Sequence, residues 1–185
     1  MRRRASVTST AAHSSPTRVA ADPAAVAALA IAATAAVTLA GAWFFQLVLD
    51  IRPCPLCLEQ RYAYYLALPL ALVIAFAAVR GAPRPVLLAG FAVLLLAALA
   101  NAWLGGYHAG VEWKFWPGPN DCSGPVADLG SAGTLLQRLD TVKVIRCDEV
   151  QWRFLGLSLA GYNVLISLAM ALMAVWGIVA AKRAA

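Results

Sequence analysis

Pro53-Cys54-Pro55-Leu56-Cys57-Leu58-Glu59-Gln60-Arg61 is the stretch on which the reading of this chain turns. It joins one long apolar segment to the next, which places two thiols where a membrane surface should be. A CxxC pair is in general a redox centre, half of a metal site or a structural staple. Its surroundings decide among these.

Of the 185 residues, 62% are hydrophobic and 13% charged, against about 25% charged in an ordinary soluble domain. With a mean hydropathy of +0.72, the chain carries more apolar surface than a core of its own could hide, so lipid is its solvent. Four cysteines fit two disulfides in an oxidising compartment.

Outward from the CxxC stretch, four apolar runs emerge. Residues 24–49 make a first span, too long for the 7–15 residues or so of a signal-peptide core and ample for a helix that needs about 20. Trp43, Phe44 and Phe45 near its end suit an interfacial aromatic belt. The second span is read as 62–79, with an earlier start near Leu58 allowed and a kink at Pro69. After a basic turn, Arg80-Gly81-Ala82-Pro83-Arg84-Pro85, the third span covers 86–107, with Asn101 as its polar residue and Gly105-Gly106 closing it. The fourth covers 154–180, and Gly156 and Gly161 are candidates for close helix approach. Residues 1–21 read as a disordered cytoplasmic tail and 22–185 as one domain. The expected fold is all-α: a four-transmembrane-helix bundle with two outward-facing loops. The second loop, 108–153, begins with aromatics and turn formers suited to the headgroup layer. It carries a short amphipathic helix over 132–144, where Leu135, Leu136, Leu139 and Val142 oppose polar neighbours.

Charge orients the spans. The tail, the basic turn and the C-terminus sum to +7 and the two other loops to −1, matching the net +6. That asymmetry follows the positive-inside rule. It puts both termini in the cytoplasm and all four cysteines outside, and makes the positive charge topological rather than a nucleic-acid footprint.

For the cysteines, a four-thiolate zinc site is disfavoured, because structural zinc sites pair two close-spaced motifs and Cys122 and Cys147 stand far apart. No metal is expected. Structural disulfides are the plain alternative. A bridge closing a loop as long as 122–147 stabilises by about 3–4 kcal/mol in the chain-entropy model, whereas one between Cys54 and Cys57 adds little. A close pair of small structural value is better suited to opening and closing. Cys57 lies near a helix start, where the macrodipole favours an anion, and Arg61 follows one turn later; both favour the thiolate. Arg61 would serve equally well as an interfacial anchor. Cys54, between two prolines, reads as the more exposed sulfur and the one for exchange. The electron acceptor that the architecture permits is a lipid-soluble quinone, which needs only an apolar gap and a few polar groups.

Cys54-Pro55-Leu56-Cys57-Leu58-Glu59-Gln60-Arg61 after the first span, Cys122 and Cys147 in the second outer loop, and Trp152-Arg153-Phe154-Leu155-Gly156-Leu157-Ser158 before the last helix resemble the DsbB family. These bacterial inner-membrane enzymes reoxidise the periplasmic dithiol oxidase DsbA with a quinone. The resemblance runs from about Ala24 onward. It implies that Cys122 and Cys147 form the disulfide attacked by a DsbA-like, thioredoxin-fold partner, with Cys122 joining the mixed disulfide. Electrons would then pass to Cys54 and Cys57, with Cys57 facing the quinone (ubiquinone or menaquinone) and Arg61 supporting it. His108 stands roughly where the family carries a polar quinone-side residue; by itself it reads as an interfacial histidine. Tyr162 departs from the family's frequent tryptophan. Vitamin-K-epoxide-reductase-like proteins also combine a bundle, CxxC and quinone, but with the CxxC late in the bundle. From a different class, a disulfide-stapled membrane scaffold or small transporter would have inert, permanently oxidised cysteines. The transporter version is weakened by the lack of charged residues in the spans.

Overall fold

A computed structural model describes residues 22–119 and 146–183. The tail 1–21, Cys122 and the amphipathic helix expected over 132–144 lie outside the described residues. Among those described, four helices are long and apolar enough to cross a membrane: α1 (Pro23–Leu47), α2 (Pro55–Val79), α3 (Arg84–Glu112) and α4 (Leu159–Arg183). Helix starts carry local signals. Asp22 caps α1, its Oδ1 accepting from the backbone N–H groups of Ala24 and Ala25 at 2.9 and 3.2 Å, and prolines occupy the first turns of α1, α2 and α3, where a missing N–H goes unnoticed.

The helices form a ring. Each packs on two neighbours: α1 on α2 and α4, and α3 on α2 and α4. Alanine dominates the buried faces; on α1 these are Ala24, Ala25, Ala27, Ala28, Ala32 and Ala35. Small side chains let backbones approach, and in lipid the resulting van der Waals contact drives association. Gly177 of α4 lies against Phe91 of α3, so that an added Cβ would sit 2.3 Å from the ring.

Three boundaries differ from the expected ones. Helix α2 starts at Pro55 instead of 62, because proline at the first position and Cys54 as cap nucleate it early. Helix α3 runs through Gly105-Gly106 to Glu112. Gly105 is a packing position rather than a stop, since a Cβ there would meet Asn163 Nδ2 of α4 at 2.8 Å. The last helix begins at Leu159 because 153–158 fold as a hairpin of β1 (Arg153–Phe154) and β2 (Leu157–Ser158), with Arg153 opposite Ser158. Leu155 and Gly156 both have positive φ, 48° and 83°, as a two-residue type I′ turn requires. Gly156 therefore makes a turn, and the atoms nearest to a Cβ at Gly161 belong to its own near neighbours Leu157 and Ser158.

The hairpin is fastened over one end of the bundle. Trp152 stacks on Phe154 and meets Phe45 of α1 edge-on, at 5.9 and 5.0 Å between centroids. Tyr162 of α4 donates to the Phe154 carbonyl at 3.0 Å. Beside it, the chain after α3 folds back on that helix. Trp116 donates to the Tyr107 carbonyl at 3.0 Å and lies over Gly110, where a Cβ would clash with its ring.

Candidate functional site

Early nucleation of α2 determines where the thiols sit. Cys54 is its N-cap, with an extended backbone, and its Sγ accepts from the Cys57 backbone N–H at 3.3 Å. Cys57 lies in the first turn. The two sulfurs are 2.8 Å apart, less than 1 Å beyond the roughly 2.05 Å of a disulfide, and both cysteines are free. Cys54 is 2% exposed, and the hydrogen bond to Cys57 together with burial pushes its thiol up. It therefore keeps the proton it donates to Cys57 Sγ.

What buries Cys54 is the extension of α3. His108, 2% exposed, places Nε2 3.6 Å from Cys54 Sγ and Nδ1 2.8 Å from Gln60 Nε2. A side-chain amide nitrogen only donates, so Nδ1 accepts and the ring proton rests on Nε2. The ring also hydrogen-bonds the Cys147 backbone. One turn further, Glu112, hydrogen-bonded by Ser158, brings Oε1 to 4.0 Å from His108 Nε2; its other oxygen, Oε2, is buried with no hydrogen-bond partner among the described residues.

Cys147 joins the same place. It is disulfide-bonded and shares a small buried cluster with Cys54, Leu56 and Val111. Its segment is tied to the end of α3: Lys114 donates to the Asp148 carbonyl at 2.8 Å and to Oδ2 at 2.5 Å, and Arg146 donates to both Asp148 carboxylate oxygens at 2.9 and 2.8 Å. The hydrogen bonds from Arg146 and then Lys114 hold the Asp148 carboxyl down at about 2.

Cys54 and Cys57 border a cavity of about 430 Å³ that reaches inward between α1 and α4, with Arg61, Tyr64, His108 and Glu112 in its wall. The lining is otherwise largely apolar. Arg61 is turned to α1, donating to Gln46 Oε1 at 2.7 Å and the Ala42 carbonyl at 3.4 Å, with its guanidinium 5.5 Å from the centre of the Trp43 ring. Deeper in the bundle lies a second polar group. Tyr64 donates to Asn163 Oδ1 at 2.5 Å, and Asn101 Nδ2 donates to Asn163 Oδ1 and Ser167 Oγ at 3.2 and 3.0 Å.

The structure thus brings Cys54, Cys57, Cys147, Arg61 and His108 to one end of the bundle, while Cys122 lies outside the described residues. Two expectations change. Cys54 is buried rather than the more exposed sulfur, because it caps a helix under His108 and beside Cys147. His108 is helical and enclosed rather than interfacial. Gln60 and Glu112 were not foreseen as site residues. Gln60 follows Cys57 by three positions and Glu112 follows His108 by four, so each shares a helix face with its partner; for Glu112 the signal appears only if the helix continues past Gly105-Gly106.

A four-helix membrane bundle that holds a free CxxC pair at the rim of an apolar cavity, against a disulfide-bonded cysteine, defines a membrane thiol oxidoreductase. The family model for disulfide bond formation protein DsbB matches residues 24–177. The chain belongs to the DsbB family. It is similar to disulfide bond formation protein B of Azoarcus sp., 35% identical over 152 residues covering 80% of this chain and 88% of that one. The proteins of the same name from Polaromonas sp. and Aromatoleum aromaticum are 30% and 32% identical over 148 residues each, covering 78% and 76% of this chain and 85% and 82% of theirs. No solved structure gives a significant match. The chain is accordingly a multi-pass membrane protein and a disulfide-forming oxidoreductase.

Proposed function

We propose that the chain reoxidises a DsbA-like, thioredoxin-fold dithiol oxidase in the periplasm and passes the electrons to a membrane quinone. The observation that carries this reading is the free Cys54–Cys57 pair, held between Cys147 on one side and the apolar cavity on the other. Both termini are then cytoplasmic and the cysteine loops periplasmic, as the basic excess of the tail, the 80–84 turn and the C-terminus requires.

Electrons enter by sulfur exchange. A thiolate of the partner attacks a Cys122–Cys147 disulfide at Cys122, and the partner's second thiol closes its own disulfide, leaving Cys122 and Cys147 reduced. Those two thiols then reduce the Cys54–Cys57 disulfide, breaking one S–S bond as another forms. Burial of Cys54 beside Cys147 suits it to this second exchange. A disulfide-bonded Cys147 beside free Cys54 and Cys57 corresponds to the stage at which electrons have reached the inner pair. The partner is a demanding donor, since DsbA has a potential near −120 mV against about −270 mV for thioredoxin, and an ordinary stable disulfide could not oxidise it.

The cavity fits a quinone head group. Its size falls in the range of about 300–1,000 Å³ typical of small-molecule sites, and such sites combine an apolar wall with a few polar groups, here Arg61, Tyr64 and His108. A bound quinone supplies a two-electron, two-proton acceptor. Cys57, the more accessible of the two cysteines, faces that space. Arg61 holds a fixed positive charge in the wall, and its bonds to Gln46 and Ala42 keep it oriented.

The test is quinone reduction by the purified chain with a reduced DsbA-like donor, followed by quinone absorbance. Turnover in the parent that vanishes in Cys57→Ser and Cys122→Ser and weakens in Arg61→Ala supports the relay. No turnover with ubiquinone or menaquinone, with thiols that stay unreactive, would return the chain to a stapled scaffold.

A further inference from the structure

We propose that the reduced Cys54–Cys57 pair and His108 form a binding site for a single zinc ion, with Glu112 as the fourth ligand. This is not the four-thiolate arrangement that the cysteine spacing disfavours, because it uses neither Cys122 nor Cys147. It stands on geometry, independently of the quinone reading.

The two sulfurs and a ring nitrogen of His108 lie within 4.8 Å of one another. With Zn–S of about 2.3 Å and Zn–N of about 2.0–2.1 Å, a tetrahedral site has S···N edges of about 3.5 Å and an S···S edge of about 3.8 Å. Cys54 Sγ and His108 Nε2 already stand 3.6 Å apart. The sulfurs, at 2.8 Å, must separate by about 1 Å to meet that edge, which rotation about one Cα–Cβ bond provides.

The fourth position has its own observation. Glu112 is 9% exposed, and its Oε2 is buried without a partner among the described residues. Buried carboxylate oxygens are costly to leave unpaired. Its Oε1 stands 4.0 Å from His108 Nε2 but outside the set of atoms that lie within 4.8 Å of one another. The side chain must therefore turn toward the sulfurs to reach the roughly 3.3 Å edge that two ligands at about 2.0–2.1 Å would span. Gln60 supplies the support that metal-bound histidines use. A ring bound through Nε2 carries its proton on Nδ1, and reversing the Gln60 amide presents an acceptor there, as outer-shell partners of such rings do. The bond between the ring and the Cys147 backbone is released in exchange.

Binding displaces protons but moves no electrons: Zn²⁺ and two thiols give a zinc dithiolate and two H⁺, with Glu112 coordinating as the carboxylate. The same sulfurs cannot both bind zinc and join as a disulfide. Zinc is therefore a ligand of the reduced protein alone and holds the pair reduced.

The experiment is cobalt titration of the full chain in detergent, reduced and freed of reductant under argon. Co²⁺ reports thiolate coordination by a charge-transfer band and tetrahedral geometry by its visible bands. One ion per chain, displaced by Zn²⁺, absent from the oxidised protein and retained in the Cys122→Ser/Cys147→Ser double variant, is expected. Gln60→Leu should weaken binding about 10–100-fold, as loss of an outer-shell partner does, and His108→Ala by more than that. Should His108→Ala fail to fold, Glu112→Gln still decides, because it must weaken binding or shift the visible bands. A band that survives Cys54→Ser would place the metal on other thiolates, and equal affinity in the parent, Gln60→Leu and Glu112→Gln would leave only chelation by a cysteine pair; either result overturns the site.

Discussion

The bundle contains two buried polar clusters, and they differ in how completely they are satisfied. In the inner one, Tyr64, Asn101, Asn163 and Ser167 bond to one another across α2, α3 and α4. In the outer one, around Cys54, His108, Gln60 and Glu112, the sulfurs stand 2.8 Å apart and one carboxylate oxygen has no partner among the described residues. A closed network in a membrane interior fixes helix register. Groups left reactive or unsatisfied are where chemistry is done. We propose that the inner cluster is mainly scaffold and the outer one the site, with Tyr64 belonging to the cavity wall as well.

Substitutions can break that contrast. The largest effect is expected from Cys57→Ser, which should reduce thiol–disulfide turnover to background while leaving the melting temperature in detergent unchanged. A parallel loss of stability would mean that the pair is a staple after all. Next, Asn101→Leu removes both donors to Asn163 and Ser167 and should lower unfolding free energy by about 1–2 kcal/mol, the upper range for interhelical hydrogen bonds in membranes. Turnover should persist, since Asn101 touches neither sulfur nor cavity.

The opposite sign is expected at Glu112. Glu112 is hydrogen-bonded by Ser158, but its Oε2 has no partner among the described residues. Replacing such a half-satisfied buried carboxylate by an apolar group of similar size is close to neutral, so Glu112→Leu should leave thermal stability within about 1 kcal/mol of the parent or raise it. A loss as large as that of Asn101→Leu would show that Glu112 is also scaffold. The smallest effect belongs to the exposed tie at Asp148. Its carboxyl is held at about 2, below its ordinary 3.8, so its contribution is present above pH 3.8 and is lost as pH falls from there through 2. Asp148→Asn should destabilise by less than about 1 kcal/mol near neutrality, as exposed ion pairs do. In melts taken at falling pH, the gap between parent and variant should close below pH 3.

Much of the molecule was legible before any coordinates. The four spans follow from hydropathy alone, and the CxxC stretch with Arg61 singled out the end of the bundle where the free cysteine pair and Cys147 meet. Boundaries were less legible where one residue type serves two purposes. Glycine stops helices in water but packs them in lipid, so Gly105-Gly106 read as an end when Gly105 marks the approach of α4. Gly156 read as a packing residue when it makes a hairpin turn. The same ambiguity hid the environment of His108. In a loop it would be wet; because α3 continues to Glu112, it is carried under Cys54 and buried.

The sequence by itself determined the solvent, the number of spans, the family resemblance and the position of the close cysteine pair, because hydropathy and a spaced motif are local properties of the chain. Only the tertiary structure decided that Cys54 is the buried sulfur, that Cys147 and His108 lie against it, and that Gln60 and Glu112 complete its surroundings. Those relations join residues as far apart as 54 and 147. They depend on where α3 ends and how closely the helices pack, which side-chain volume sets across the whole bundle rather than at any one position.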